Sequence, residues 1–216
     1  STQPGFEDEL VLELKEFWPF LLNKEARPHG TRFPEVQIML GGIEIECEEI
    51  LGFQINFFTK LAGRVLLRVG RFKAREFAKL EAEFRRLRDK INVAPPQSTF
   101  TLEVAASQSR LNNEKRIEQS FLSATKIKIS NDKTLEKGKA QKIFVRMHDD
   151  ECTVSLDTSG DHLHFRGYRQ EQGSAPLRET IASFCLRKLI GASSAQELSE
   201  VNLIDPMVGS GTFLIE

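Results

Sequence analysis

The sequence predicts an α+β fold made of small units, followed by the opening of an α/β nucleotide-binding unit. Three observations carry this. Apolar residues switch between helical and alternating spacing along the chain, Gly41-Gly42 separates two short apolar runs, and the last residues bring an apolar run, two glycines and a helix start together.

Phe6, Leu10, Leu14, Phe17 and Leu21 recur at helical spacing, with Pro4 ahead of them. Glu7, Asp8 and Glu9 fall in the first turn, where the helix dipole favours acids. This helix is expected to end before Pro28. Residues 36–40 and 43–47 read as strands of a hairpin around Gly41-Gly42. Residues 49–60 read as a second helix, and Val65, Leu67 and Val69, alternating with Arg64 and Arg68, as a strand. Helix, hairpin, helix and strand make up most of a ferredoxin-like βαββαβ unit. Its opening strand would precede Ser1, so the chain is expected to begin late in that unit.

Over residues 74–91, Phe77, Leu80, Phe84, Leu87 and Ile91 share one face of a helical wheel, and Arg75, Lys79, Arg86 and Lys90 form a narrow stripe opposite. Residues 92–98, with Pro95-Pro96, end that helix as a linker. Phe100, Leu102 and Val104 alternate as a strand, residues 112–125 read as a helix, and the lysine-rich residues 130–142 as a loop. Ile143, Val145 and Met147, then Cys152, Val154 and Leu156, read as two strands around a turn at His148-Asp149-Asp150. A helix over residues 176–190 is expected to bury Leu177, Ile181, Phe184, Cys185 and Leu189.

The net charge of −1 hides a segregation along the chain. Residues 1–59 carry net −7, residues 60–92 net +7, residues 93–147 net +5 and residues 148–216 net −6. A basic centre between acidic flanks suits phosphate neutralisation with counterion release, and equally a solvated basic face. No apolar run reaches membrane-spanning length and no leader pattern stands at the start, so a cytoplasmic location without membrane association is the default. Cys47, Cys152 and Cys185 lie far apart and read as reduced, two of them in the core. His162 and His164 beside Asp161 have no cysteine or further histidine at ligand spacing, so no metal site is expected.

Asn202-Leu203-Ile204-Asp205 reads as a strand end, Gly209 and Gly211 permit a tight turn close to a ligand, and Thr212 can open a helix with free N–H groups. A third glycine at dinucleotide spacing and a Gly-Lys-Ser/Thr ending are both absent. The full string from Asp205 to Glu216, Asp-Pro-Met-Val-Gly-Ser-Gly-Thr-Phe-Leu-Ile-Glu, resembles motif I of S-adenosyl-L-methionine-dependent RNA methyltransferases that carry a THUMP domain. Four further stretches resemble the same family in the same order. They are Gly5-Phe6-Glu7-Asp8-Glu9-Leu10, Gly41-Gly42-Ile43-Glu44-Ile45, the joint running from Ser155 to Arg169, and Ala175-Pro176-Leu177-Arg178-Glu179-Thr180, with Arg178 where the family usually has lysine.

The resemblance implies a ferredoxin-like unit over residues 1–70, a THUMP RNA-binding domain over residues 71–165, and a linker with the truncated start of a Rossmann-like class I methyltransferase domain over residues 166–216. It implies that Asp205, Pro206, Gly209, Ser210, Gly211 and Thr212, with Pro176 and Thr180, face S-adenosyl-L-methionine. The partner it implies is RNA, either ribosomal RNA or tRNA, for which the candidates are Arg75, Lys79, Arg86 and Lys90 of the basic stripe and Arg110, Lys115 and Arg116 at the strand-to-helix junction. Arg166 and Arg169 either touch RNA or pair with Asp157 or Glu179. The reaction implied is formation of N2-methylguanosine. The family's Asn/Asp-Pro-Pro-Tyr motif does not occur here, so this polypeptide by itself is expected to be inactive and its last residues disordered or held by a non-native contact. A stand-alone RNA-binding module, or a truncated product without catalysis, is the alternative. A THUMP-containing tRNA thiolation enzyme is disfavoured, because it would use a pyrophosphatase loop in place of the Asp-Pro-x-x-Gly-Ser-Gly-Thr string.

Overall fold

The structure is a computed structural model describing residues 1–21, 32–91, 99–130, 140–165, 167, 177–191 and 202–216. The chain divides into two compact units, Ser1–Val65 with His162–Glu216, and Leu66–Asp161. The N- and C-terminal segments thus share one unit. No helix among the described residues is long and apolar enough to cross a membrane.

The first unit begins with α1 (Glu7–Phe17) and a 3-10 turn (Trp18–Phe20), followed by the hairpin β1 (Val36–Met39) and β2 (Gly42–Ile45), then α2 (Glu49–Phe58). Leu10 and Leu14 of α1, with Trp18 and Leu21, pack on Leu51 and Ile55 of α2 and on Leu61 and Ala62. Burying each of the leucine and isoleucine side chains contributes roughly 1.5–3 kcal/mol. Glu7 joins the hairpin to α1: its carboxylate accepts hydrogen bonds from Gly5 N (2.7 Å) and from Gly41 N (2.7 Å). Gly41 has φ +79°, so the turn favours a residue without Cβ. Ser1 and Thr2 tie this turn to the segment after α2, through Thr2 N to Gly41 O (2.9 Å) and Gly63 N to Ser1 O (2.8 Å).

The second unit is a four-stranded sheet, ordered β3 (Leu66–Lys73), β6 (Glu151–Asp157), β5 (Ala140–His148) and β4 (Thr99–Ser107). It also contains α3 (Phe77–Ile91) and α4 (Glu114–Thr125). β4 and β5 are parallel, and β6 is antiparallel to both of its neighbours, so β3, β4 and β5 all end at one edge. The core is formed by Leu80, Phe84, Leu87 and Ile91 of α3, Ile117 and Phe121 of α4, and Ile143, Val145, Met147, Cys152 and Val154 of the sheet. Phe84 meets Phe72 and Phe121 edge-on, at 5.9 and 5.1 Å between centroids.

The expected ferredoxin-like grouping of β3 with the hairpin does not hold. Among the described residues the hairpin is a two-stranded sheet, and β3 pairs with β6. The reason is packing. The register shifts between Arg68 and Gly70, so Gly70 and Phe72 lie opposite Val154 and Cys152, two buried residues of the core. A Cβ on Gly70 would lie 2.5 Å from Leu87 Cδ1. Gly70→Ala is therefore expected to cost about 1–3 kcal/mol in urea unfolding. Leu87→Ala in the same chain should remove most of the added penalty, and additive losses would contradict this close contact.

Two more expectations change. The helix expected from residue 74 begins at Phe77, which leaves Arg75 in the bend before it and outside the cationic stripe. α5 (Glu179–Ile190) buries Glu179, Thr180, Ala182 and Ser183, while Cys185 is exposed and Leu189 is 76% exposed. Charge turns this helix: Arg187 and Lys188 reach carboxylates of α1, and the expected apolar stripe is displaced. All three cysteines are free thiols, but only Cys152 is fully buried, and burial pushes its thiol up to about 12.

Candidate functional site

The first candidate region is the C-terminal glycine loop. Asp205 Oδ1 accepts from Met207 N (2.9 Å), and Gly211 N donates to Val208 O (2.7 Å), which closes the turn. Gly209 (φ +52°) and Gly211 (φ +75°) both take the left-handed conformation, at the positions where the sequence placed glycines for this purpose. The short helix α6 (Thr212–Ile215) follows. The tail, expected to be either disordered or held by a non-native contact, is placed against α5: Ser183 Oγ donates to Glu216 Oε2 (2.6 Å), and Lys60 Nζ lies 3.6 Å from the same oxygen. Residues 202–204 do not form a strand, and Leu203, Ile204 and Leu214 remain exposed.

Thr180 and Thr212 are both buried, at 4% and 5% exposure. Thr180 also lines a cavity of about 360 Å³ with Leu61, His162, His164, Phe165 and Arg178. Asp205, Pro206, Gly209, Ser210, Gly211 and Thr212 do not line it, so the two sets of expected cofactor residues are not united in this cavity. Pro176, Arg166 and Arg169 lie outside the described residues. Among the described residues no cluster of His, Cys, Asp and Glu is arranged to hold a metal ion.

The second candidate region is the edge of the four-stranded sheet where β3, β4 and β5 end. Arg75 follows β3, Arg110 follows β4, and Lys115 and Arg116 stand in the first turn of α4, all of them exposed. α4 is capped by Asn113, whose Oδ1 accepts from Arg116 N (3.0 Å). The Arg116 guanidinium lies 3.9 Å from the ring centroid of Phe77, at the start of α3. Lys79 sits in the first turn of α3, whereas Arg86, paired with Glu83 at 2.8 Å, and Lys90 lie two to three turns further along it. The structure thus gathers Arg75, Arg110, Lys115 and Arg116 and separates them from Arg86 and Lys90.

The carboxylate at the centre of this edge was not anticipated from the sequence. Asp150 Oδ2 accepts from Arg75 Nε (2.8 Å) and its Oδ1 from Arg110 N (2.8 Å). The Arg110 N–H, then the Arg75 guanidinium, hold its carboxyl below the usual range. Beside it, Ser107 Oγ and His148 Nδ1 are 2.9 Å apart. A signal was present: Asp150 occupies the second position of a two-residue hairpin tip, where glycine is favoured.

Residues 166–216 match a family described as "RMKL-like, methyltransferase domain". Over 201 residues the chain is 29% identical to the ribosomal RNA large subunit methyltransferase K/L of Psychromonas ingrahamii, covering 91% of this chain and 26% of that protein. A Listeria monocytogenes structure, assigned by prediction as an N6-adenine-specific DNA methylase, is similar over the whole chain, at 25% identity and a TM-score of 0.74. It is matched over 52% of its own length. SMU.472, assigned as a methyltransferase and crystallised with SAH, is similar over the whole chain as well, at 25% identity, a TM-score of 0.73 and 53% of its own length. The chain thus spans about a quarter of the curated relative and about half of each solved chain.

Proposed function

We propose that this chain is the RNA-engaging and cofactor-loop part of an S-adenosyl-L-methionine-dependent RNA methyltransferase whose product is N2-methylguanosine in large-subunit ribosomal RNA. The observation that carries this reading is the left-handed glycine loop from Asp205 to Thr212, inside the segment that matches a methyltransferase domain. In this reading Asp205, Gly209, Ser210, Gly211 and Thr212 hold the cofactor, which supplies the methyl group. The backbone can approach a ligand closely at both glycines. The Leu66–Asp161 unit is read as a THUMP domain that brings the RNA. It holds 19 Lys and Arg against 14 Asp and Glu, whereas the rest of the chain holds 11 against 17. A basic unit of this kind binds phosphates with a marked salt dependence. In this reading the chain's own part is to bind the cofactor and to place the RNA.

Deleting the gene is expected to remove one N2-methylguanosine from large-subunit ribosomal RNA, read by nucleoside mass spectrometry, and re-expression to restore it. Loss from tRNA instead would reassign the substrate. Loss of N6-methyladenosine, or no change in any nucleoside, would overturn the reading.

A further inference from the structure

We infer that Asp150 is a positioning residue for an RNA phosphate, holding Arg75 and Arg110 together at the edge of the sheet as a two-arginine clamp. The inference rests on the proposed RNA-binding role and specifies one subsite within it.

Two independent observations lead to it. The first is geometric. Asp150 binds Arg75 through Nε, which leaves both terminal guanidinium nitrogens on a side chain that is 69% exposed. Its other oxygen fixes the Arg110 backbone, and the Arg110 charge also acts on Asp150. A guanidinium held by Nε still offers the fork that fits two phosphate oxygens. Ser109 completes the frame: its hydroxyl accepts from Asp150 N (3.0 Å) and donates to Ser107 O (2.9 Å). Ala74 N donates to Asp150 O (2.9 Å), which fixes the chain just before Arg75.

The second observation is conformational. Asp149 (φ +49°) and Asp150 (φ +61°) are both left-handed; aspartate suits the first position of such a tip, but the second, held by Asp150, favours glycine. A strained residue whose side chain makes two bonds to two different strand ends is held for those bonds. The unit therefore keeps an anion inside a basic edge. An anion there weakens RNA binding by simple Coulomb repulsion, unless its effect in placing the arginines is larger.

That opposition supplies the test. Asp150→Asn and Asp150→Gly both suit the left-handed turn, so the hairpin is expected to survive, as checked by far-ultraviolet circular dichroism and thermal melting. Binding of the full chain to a fluorescein-labelled RNA hairpin with a single-stranded 3′ end would be measured over a salt series. If Asp150 only shapes the turn or repels phosphate, both variants bind RNA as tightly as wild type or more tightly. The clamp predicts weaker binding instead, by about fivefold, with a salt slope lower by about one. In Arg75→Ala, adding Asp150→Asn should cost less than it does in the wild type, because only the Arg110 contact is left to lose. Additive losses, or tighter binding by either variant, would overturn the clamp. Absence of salt-dependent RNA binding by the wild-type chain would overturn the RNA-binding role itself, a separable result.

Discussion

Glu13→Ala is expected to destabilise the Ser1–Val65 and His162–Glu216 unit by about 3 kcal/mol, as much as truncating a buried core side chain. Glu13 is 4% exposed and gathers three donors from the end of α2: Thr59 Oγ1 (2.7 Å), Lys60 N (2.7 Å) and Leu61 N (3.3 Å). Removing it leaves these groups unpaired in a site closed to water, at roughly 1–3 kcal/mol each, less whatever relaxation recovers. Urea unfolding followed by Trp18 fluorescence would measure it. A loss below about 1 kcal/mol would mean that solvent reaches the site.

The same residue gives the unit a pH signature. Burial pushes the Glu13 carboxyl up, against the pull of its donors. A carboxyl raised in the folded state stabilises fully below its unfolded value, and this contribution is lost as pH rises through the folded value. Glu9 has the opposite sign. Burial opposes its charge, yet the Lys188 ammonium and the Arg187 guanidinium hold it below the usual range, so its contribution is lost as pH falls through its folded value. Glu13→Gln should therefore gain on the wild type as pH rises above the ordinary glutamate range, with little relative change below it. A difference that stays constant with pH would remove Glu13 as the cause.

The helices and strands were legible because each has a periodic core face. Leu80, Phe84, Leu87 and Ile91 identify α3, and the glycines at 41, 209 and 211 mark turns that are left-handed in the structure at Gly41, Gly209 and Gly211. The partner of β3 was not legible. Its placement depends on Gly70 fitting Leu87 and on a register shift opposite β6, and both lie in long-range packing. The cationic stripe was half legible. A wheel places Arg75 with Lys79, but the bond to Asp150, on a hairpin 75 residues away, holds Arg75 in the bend before the helix. The buried face of α5 was misread for a related reason: its Arg187 and Lys188 satisfy acids near the other end of the chain, and no local pattern records that demand.

Those acids make Arg187 the second large effect. Its guanidinium donates to both oxygens of Glu16, from Nη1 (2.9 Å) and Nη2 (2.7 Å), while Nε donates to Glu9 (3.1 Å). Lys188 Nζ reaches Glu9 at 2.7 Å, and Phe184 stacks on Phe6 with centroids 3.8 Å apart. The seam joins α1 to the first helix of the segment that matches a methyltransferase domain. Arg187→Ala leaves Glu9, 5% exposed, with one cation in place of two. A fully buried broken pair costs about 3–5 kcal/mol, and the partial exposure of Glu16 and Lys188 reduces this to about 2 kcal/mol. Arg187→Lys should recover little, because an ammonium cannot span two carboxylates with a planar fork. Hydrogen exchange should locate the loss in the amides of α5. Protection at wild-type level in the lysine variant would show that charge alone holds this seam, without the guanidinium geometry.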